Sequence, residues 1–230
     1  MCARLFLPVS AEELAEFLEI AGLPELEPRY NIAPGQDLLA VRSGPRGGRS
    51  ASFLRWGLVP SFAQDPKIGH RLINARSETA ATRGVFRESL RTRRCLVPAA
   101  GFYEWKSAGR VKQPYAVKPR AGLVAIAGLW DTWERDGRRL ETCTLLTTAP
   151  NDLIAPIHDR MPVLLDRERF AEWLDPRQED PRALAPLMQP YPAERLLAHP
   201  VSTRVNRPTV DDPACLEPAA VEVPAQGRLF

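Results

Sequence analysis

Cys2 follows Met1, and a second side chain that small permits removal of the initiator methionine. The α-amine and the thiol would then share one residue. An amine attacks an aldehyde to give an imine, and the neighbouring thiol closes on that carbon to form a five-membered thiazolidine. On position alone, Cys2 is as readily an incidental residue of a frayed terminus. Partners elsewhere in the chain must decide between the two.

Three histidines are few enough to weigh singly. His158, in Ile157-His158-Asp159-Arg160-Met161-Pro162, has a charge of each sign beside it and a proline-fixed turn after it. An imidazole there could move protons near neutral pH, and a hydrogen-bonded turn histidine is an equal reading. His70 and His199 sit beside Gly69 and Pro200 without such context. Glu104 lies among aromatics in Gly101-Phe102-Tyr103-Glu104-Trp105-Lys106. Period-2 alternation puts Phe102, Glu104 and Lys106 on one face of a strand, with Tyr103 and Trp105 on the other. A partly desolvated carboxylate there would have a raised pKa and serve as acid and base. The plainer alternative is a cross-strand partner for a lysine.

Asn74 and Arg76, in Leu72-Ile73-Asn74-Ala75-Arg76-Ser77-Glu78-Thr79, are two residues apart. In an extended segment both point one way, so the amide could orient a reacting group while the guanidinium holds a phosphate. Turn chemistry and a solvated arginine explain them equally. Trp56, Phe62 and Trp105 could stack on bases while Arg4, Arg76 and Arg160 bind a nucleic-acid backbone. Tryptophans are more often core, which leaves Phe62, on the long stretch after Pro60, as the better exposed wedge.

These residues need a scaffold. Ser10 with Glu13 forms a capping box before Leu14, Phe17, Leu18 and Ala21, predicting an amphipathic helix over about 11–21. Residues 29–35 read as a turn-rich connection that packs near the N-terminus. Asp37 to Arg42 and Ser50 to Trp56 predict a hairpin across Gly44-Pro45-Arg46-Gly47-Gly48. Residues 92–97, 101–106, 114–118, 122–133 and 141–148 predict serial strands, with turns at Ser107-Ala108-Gly109 and Pro119-Arg120-Ala121. A short helix from Pro150 and Asn151 leads into His158, and residues 167–174 and 181–188 are further helix candidates. The expected class is α+β, a single domain over residues 1–230. Its mainly antiparallel sheet curls toward a barrel, with short flanking helices and an irregular segment over 207–230.

With 230 residues the chain can bury a large core, and 23 prolines argue against long helices. A net charge of +3 tolerates nucleic acid without demanding it. The four cysteines have no CxxC pair or Cys/His grouping at zinc spacing, so neither a disulfide framework nor a metal site is expected. Cys95 and Cys143 read as small buried residues in apolar strands, and Cys215 is undecided. No signal peptide or membrane-length apolar stretch is present, and a soluble, cytoplasmic protein with a free Cys2 thiol is expected.

Seven blocks in one order resemble the SRAP family, the SOS-response-associated peptidase fold. They are Met1-Cys2 with Arg4, residues 29–34, 56–61, 72–79 and 101–105, His158-Asp159-Arg160-Met161-Pro162, and residues 201–206. The resemblance implies a monomeric protein that binds single-stranded DNA, needs no cofactor, and cross-links to abasic sites. Cys2 looks like the family nucleophile, Asn74 its orienting amide, Glu104 its acid/base carboxylate and His158 its ring-opening histidine. Arg4, Arg76 and Arg160 match positions near the DNA backbone, with Phe62 as the wedge. Ala3 stands where the family usually has glycine, and Phe62 where many relatives have tryptophan. A thiol peptidase acting on its own N-terminus, an abasic-site lyase and a non-catalytic single-strand binder are the alternatives.

Overall fold

The computed structural model describes residues 2–44, 48–108 and 111–220. Met1, the hairpin link at 45–47, the turn at Gly109 and the segment 221–230 lie outside the described residues. In chain order the elements are β1 (Leu5–Leu7), α1 (Ala11–Leu18), β2 (Arg29–Ile32), β3 (Asp37–Ser43), β4 (Arg49–Trp56), β5 (Asn74–Arg76), α2 (Ser77–Ala80), α3 (Gly84–Thr92) and β6 (Arg94–Ala99). They continue with β7 (Gly101–Ala108), β8 (Val111–Pro119), β9 (Val124–Arg135), β10 (Arg138–Thr148), β11 (Met161–Pro162), β12 (Leu164–Leu165), α4 (Phe170–Leu174), α5 (Pro181–Leu184) and β13 (Leu196–Pro200).

Strands β4, β3, β6, β9 and β10 form a closed ring. Five strands cannot alternate direction all the way round, so one neighbouring pair must run parallel. That pair is β4 with β10, joined at Arg55↔Thr142 and Trp56↔Cys143. Alternation along the strands separates two cores. Leu38, Ala40, Leu54, Trp56, Cys95, Val97, Ile126, Cys143 and Leu145 share one. Leu39, Val41, Leu96, Ala127, Leu129 and Leu146 share the other with residues of α1, α3 and α4.

A second sheet, ordered β13-β8-β7-β1-β2, packs against the first core. Cys2, Leu5, Phe102, Val117 and Leu196 join the cluster around Trp56 and Leu145. On its other face, Phe6, Tyr103 and Ala116 pack with Val201, Val205 and Cys215. Strand β7 is therefore covered on both sides, and the even-numbered side carrying Phe102 and Glu104 belongs to the apolar interior. The approach of β1 depends on Gly101, because a Cβ there would lie 2.2 Å from the Phe6 ring.

The hairpin of residues 37–56, the Ser10 cap and the burial of Cys95 and Cys143 are as the sequence predicts. Other expectations need correction. Residues 29–32 are a strand and not a turn, because their backbone pairs with β1. The serial strands divide between two sheets where one was expected: β8 pairs with β7 and β13, while β9 crosses to β6 and β10. Helix α1 stops at Leu18, where Glu19 turns left-handed. Residues 152–157 make consecutive turns and no helix, although the side chain of Asn151 caps the N–H of Ile154. The two late helix candidates keep their expected spans, 167–174 and 181–188, but each is divided between a short α-helix, α4 or α5, and a 3-10 turn.

Candidate active site

The β1–β7 register sets the N-terminus beside Glu104. Leu5 lies opposite Phe102, and Tyr103 donates its N–H to the carbonyl of Arg4 at 3.0 Å. Cys2 is completely buried. Burial pushes its thiol well above the ordinary range, and the charge of Glu104 pushes it further the same way.

Glu104 is 1% exposed. Burial raises its carboxyl from 4.5 to about 7, with the N–H of Trp105 acting in the opposite direction. Residues 152–157 bring His158 across, placing its Nε2 4.0 Å from Oε2 of Glu104. Arg160 donates its backbone N–H to Nδ1 of His158 at 3.0 Å, which fixes the neutral proton on Nε2, facing Glu104. Oδ1 of Asp159 lies 3.1 Å from Nδ1 and becomes an acceptor only when the ring is charged. Burial first of all lowers the His158 pKa, so the neutral ring prevails at pH 7.

Asn74 comes from another direction, on β5, which pairs parallel with β10 at Leu145. Its Nδ2 donates to the carbonyl of Cys2 at 2.6 Å. Its Oδ1 is buried without a hydrogen-bond partner. Cys2, Asn74, Glu104 and His158, far apart in sequence, thus converge on one point.

Glu104 and His158 open into a cleft of about 400 Å³ lined also by Arg4, Trp105, Ser107, Lys112 and Asn206. Arg4 is held in place by Oδ1 of Asn31 at 2.7 Å, the carbonyl of Val205 and the Trp105 ring. Trp105 in turn donates its Nε1–H to Asn206 at 2.7 Å. The sequence placed Trp105 in packing and assigned no role to Ser107, Lys112 or Asn206. Alternation put Trp105 on the face away from Glu104, so the strand pattern carried no signal that both line one cleft. Asn31 was also missed: fully buried, it donates to the carbonyls of Val205, Arg207 and Val210 and ties the late segment to Arg4.

The remaining predicted residues lie around this centre on different terms. Arg76 follows Asn74 on β5 and is exposed; its side chain makes no hydrogen bond or ion pair among the described residues, and its charge acts on Glu78. Arg160 is largely occupied, donating to both carboxylate oxygens of Glu78 at 2.7 and 2.8 Å and to the Thr147 carbonyl at 2.7 Å. Phe62 is 65% exposed on a loop anchored on both sides. Ser61 donates its N–H to Asp131 at 2.9 Å, and Trp133 donates Nε1–H to the Ala63 carbonyl at 2.8 Å. Among the described residues no group of three or more His, Cys, Asp or Glu is placed to hold a metal ion. No described helix is long and apolar enough to cross a membrane.

The chain belongs to the SOS response associated peptidase (SRAP) family, whose sequence model matches residues 1–208. Among its relatives, abasic site processing protein YoqW of Bacillus subtilis is 43% identical over 223 residues, covering 94% of this chain and 99% of that protein. Abasic site processing protein HMCES of Gallus gallus is 36% identical, covering 86% and 68%. A crystal structure of a Bacteroides thetaiotaomicron protein shares the fold, with a TM-score of 0.86, 25% identity and coverage of 95% of this chain and 100% of that one.

Proposed function

We propose that this protein captures abasic sites in single-stranded DNA as a covalent cross-link through Cys2, shielding them from strand cleavage and error-prone copying. The observation that carries this is the buried Cys2, hydrogen-bonded by Asn74, beside a carboxyl raised to about 7. The names of YoqW and HMCES as abasic site processing proteins support the substrate.

After loss of Met1, the Cys2 amine is appreciably neutral at cellular pH, its reference pKa being about 7.7–8.0. It attacks the C1′ aldehyde of the ring-opened sugar, and departure of one water gives the imine. The Cys2 sulfur then adds to C1′, its proton ending on the nitrogen through Glu104, and the thiazolidine closes without any change of oxidation state. His158 exchanges its Nε2 proton with the sugar oxygens during ring opening and dehydration. Asn74 holds the Cys2 carbonyl with Nδ2 and accepts an N–H of the amine with Oδ1. Closure removes the cationic imine that drives β-elimination, so capture outlasts cutting.

Arg4, Arg76 and Arg160 face the DNA backbone on this reading, Arg160 with its charge partly offset by Glu78, and Phe62 stacks on a base. The chemistry uses the Cys2 amine, side chains and water, with no cofactor. The protein works as a monomer on cytoplasmic DNA. The peptidase suggested by the family description would need Cys2 as a thiolate. Burial and the charge of Glu104 both oppose that state, which favours capture.

The test is a denaturing gel after mixing the protein with a single-stranded oligonucleotide carrying one abasic site. A heat-stable shifted band that Cys2→Ala loses is expected. Absence of the band in wild type refutes capture, and cleaved DNA without it supports a lyase.

A further inference from the structure

Thirteen of the described arginines have carboxylate partners. A group away from the Glu104–His158 cleft does not. Arg55, Lys67, His70 and Arg138 line one recess of about 140 Å³, with no acidic side chain in its wall. All four are exposed, and among the described residues none makes a side-chain hydrogen bond or ion pair. Of the nearby carboxylates, Asp65 is turned onto the backbone N–H of Lys67 at 2.9 Å, Asp136 is two residues from Arg138, and Asp37 lies opposite Arg55 on β3; none of them lines the recess.

The recess is built by a backbone contact. The 3-10 helix Pro66–Arg71 lies directly on the turn after β4: a Cβ on Gly57 would sit 2.7 Å from the Gly69 carbonyl oxygen, and a Cβ on Gly69 equally close to that of Gly57. Gly57 also has φ +130°, which disfavours any side chain there. This approach brings Lys67 and His70 to the end of β4 carrying Arg55, beside the start of β10 carrying Arg138. The like charges of Arg55, Lys67 and Arg138, gathered in a recess whose wall holds no carboxylate, destabilise a fold slightly and suit a surface that receives an anion.

Strand β10 relates the recess to the reactive centre. Arg138 starts that strand, Thr142 pairs with Arg55 and Leu145 pairs with Asn74. At ~3.3 Å per residue, Arg138 and Leu145 are roughly 23 Å apart along the strand. The segment between recess and centre carries two more exposed cations, Arg71 and Arg76, whose side chains make no hydrogen bond or ion pair among the described residues, although the charge of Arg76 acts on Glu78.

We infer that Arg55, Lys67, His70 and Arg138 form a second subsite that binds a backbone phosphate of the same DNA strand, several nucleotides from the residue captured at Cys2. This rests on the single-stranded DNA reading above. The subsite adds affinity to strands long enough to span both places and leaves shorter ones to the cleft alone. Each phosphate contact on a single strand adds about 0.7 to the slope of log affinity against log salt.

The experiment measures fluorescence anisotropy of labelled single-stranded oligonucleotides without an abasic site, over a salt series. Wild type is compared with the double variant Lys67→Ala/Arg138→Ala. Arg177→Ala/Arg182→Ala serves as a control of equal charge change, its arginines being paired with Asp175 and Asp180 elsewhere. On a strand longer than the span, the Lys67/Arg138 variant is expected to lose about 0.7 to 1.4 from the slope, for one or two contacts. The control is expected to keep the wild-type slope. On an oligonucleotide of about four nucleotides, the low end of the site sizes for single-strand binders, the difference is expected to shrink. An unchanged slope, an equal fall in the control, or an equal loss on short and long strands overturns the subsite. Wild type that binds these strands but gives no cross-linked band in the abasic-site gel refutes the capture chemistry while this comparison still reads the subsite. Wild type that binds no strand overturns both.

Discussion

Replacing Glu104 with Gln should make the protein more stable and less reactive at once. A carboxyl raised from 4.5 to about 7 binds its proton more tightly in the folded than in the unfolded chain. Below about pH 4.5 both states are protonated and the site carries no penalty. Between 4.5 and 7 the unfolded chain ionises first and stability falls. Above 7 both are ionised and the full cost remains. At ~1.36 kcal/mol per pH unit the interval is worth ~3 kcal/mol, and part of the gain is lost where the Gln amide is imperfectly paired. Urea unfolding, followed by tryptophan fluorescence, is expected to place Glu104→Gln about 2 kcal/mol above wild type near pH 8, with the gap closing near pH 4. The abasic-site gel is expected to lose most of its cross-linked band in the same variant. A variant less stable than wild type at pH 8, or a gap independent of pH, refutes the buried, proton-binding carboxyl.

Asn74→Ala should cost about 1–2 kcal/mol in stability and slow cross-linking, while binding to undamaged single strands is unchanged; urea titration and gel time courses check both. The wild-type cross-linking rate should rise with pH through an inflection near 7, set by Glu104. His158→Gln should slow the reaction over the whole pH range, and a rate like that of wild type removes His158 from the chemistry. Phe62→Ala should weaken single-strand binding by about 1–3 kcal/mol in anisotropy titrations with the melting temperature unchanged, since its ring is exposed and the loop anchors lie at Ser61 and Ala63.

Local patterning made parts of this molecule legible. The hairpin over 37–56 shows alternation on both sides of a glycine-rich link, and Ser10 with Glu13 marks the start of α1. The faces of β7 also follow from alternation, which is why Glu104 was recognisable as a carboxylate with an apolar side. The barrel-like curl of the sheet was legible, but the pair that closes it was not: β4–β10 joins residues remote in sequence, and nothing near Arg55 or Thr142 signals a parallel neighbour. Residues 29–32 looked like a turn because Pro34 and Gly35 follow them; their strand exists only because β1 lies alongside. The four candidate site residues could be named singly, but their convergence depends on three strands and a turn. The roles of Asn31 and Asn206 as ties to Arg4 and Trp105 exist only in the folded molecule.

The central claim is that both nucleophiles of Cys2 end on one carbon of the sugar. Peptide mass spectrometry of the cross-link, after treatment with a thiol alkylating reagent, tests it directly. The expected product is an N-terminal peptide starting at Cys2, carrying one abasic deoxyribose less one water, with its thiol inaccessible to the reagent. An adduct on a lysine, a peptide that keeps Met1, or an alkylated Cys2 thiol within the adduct would contradict it.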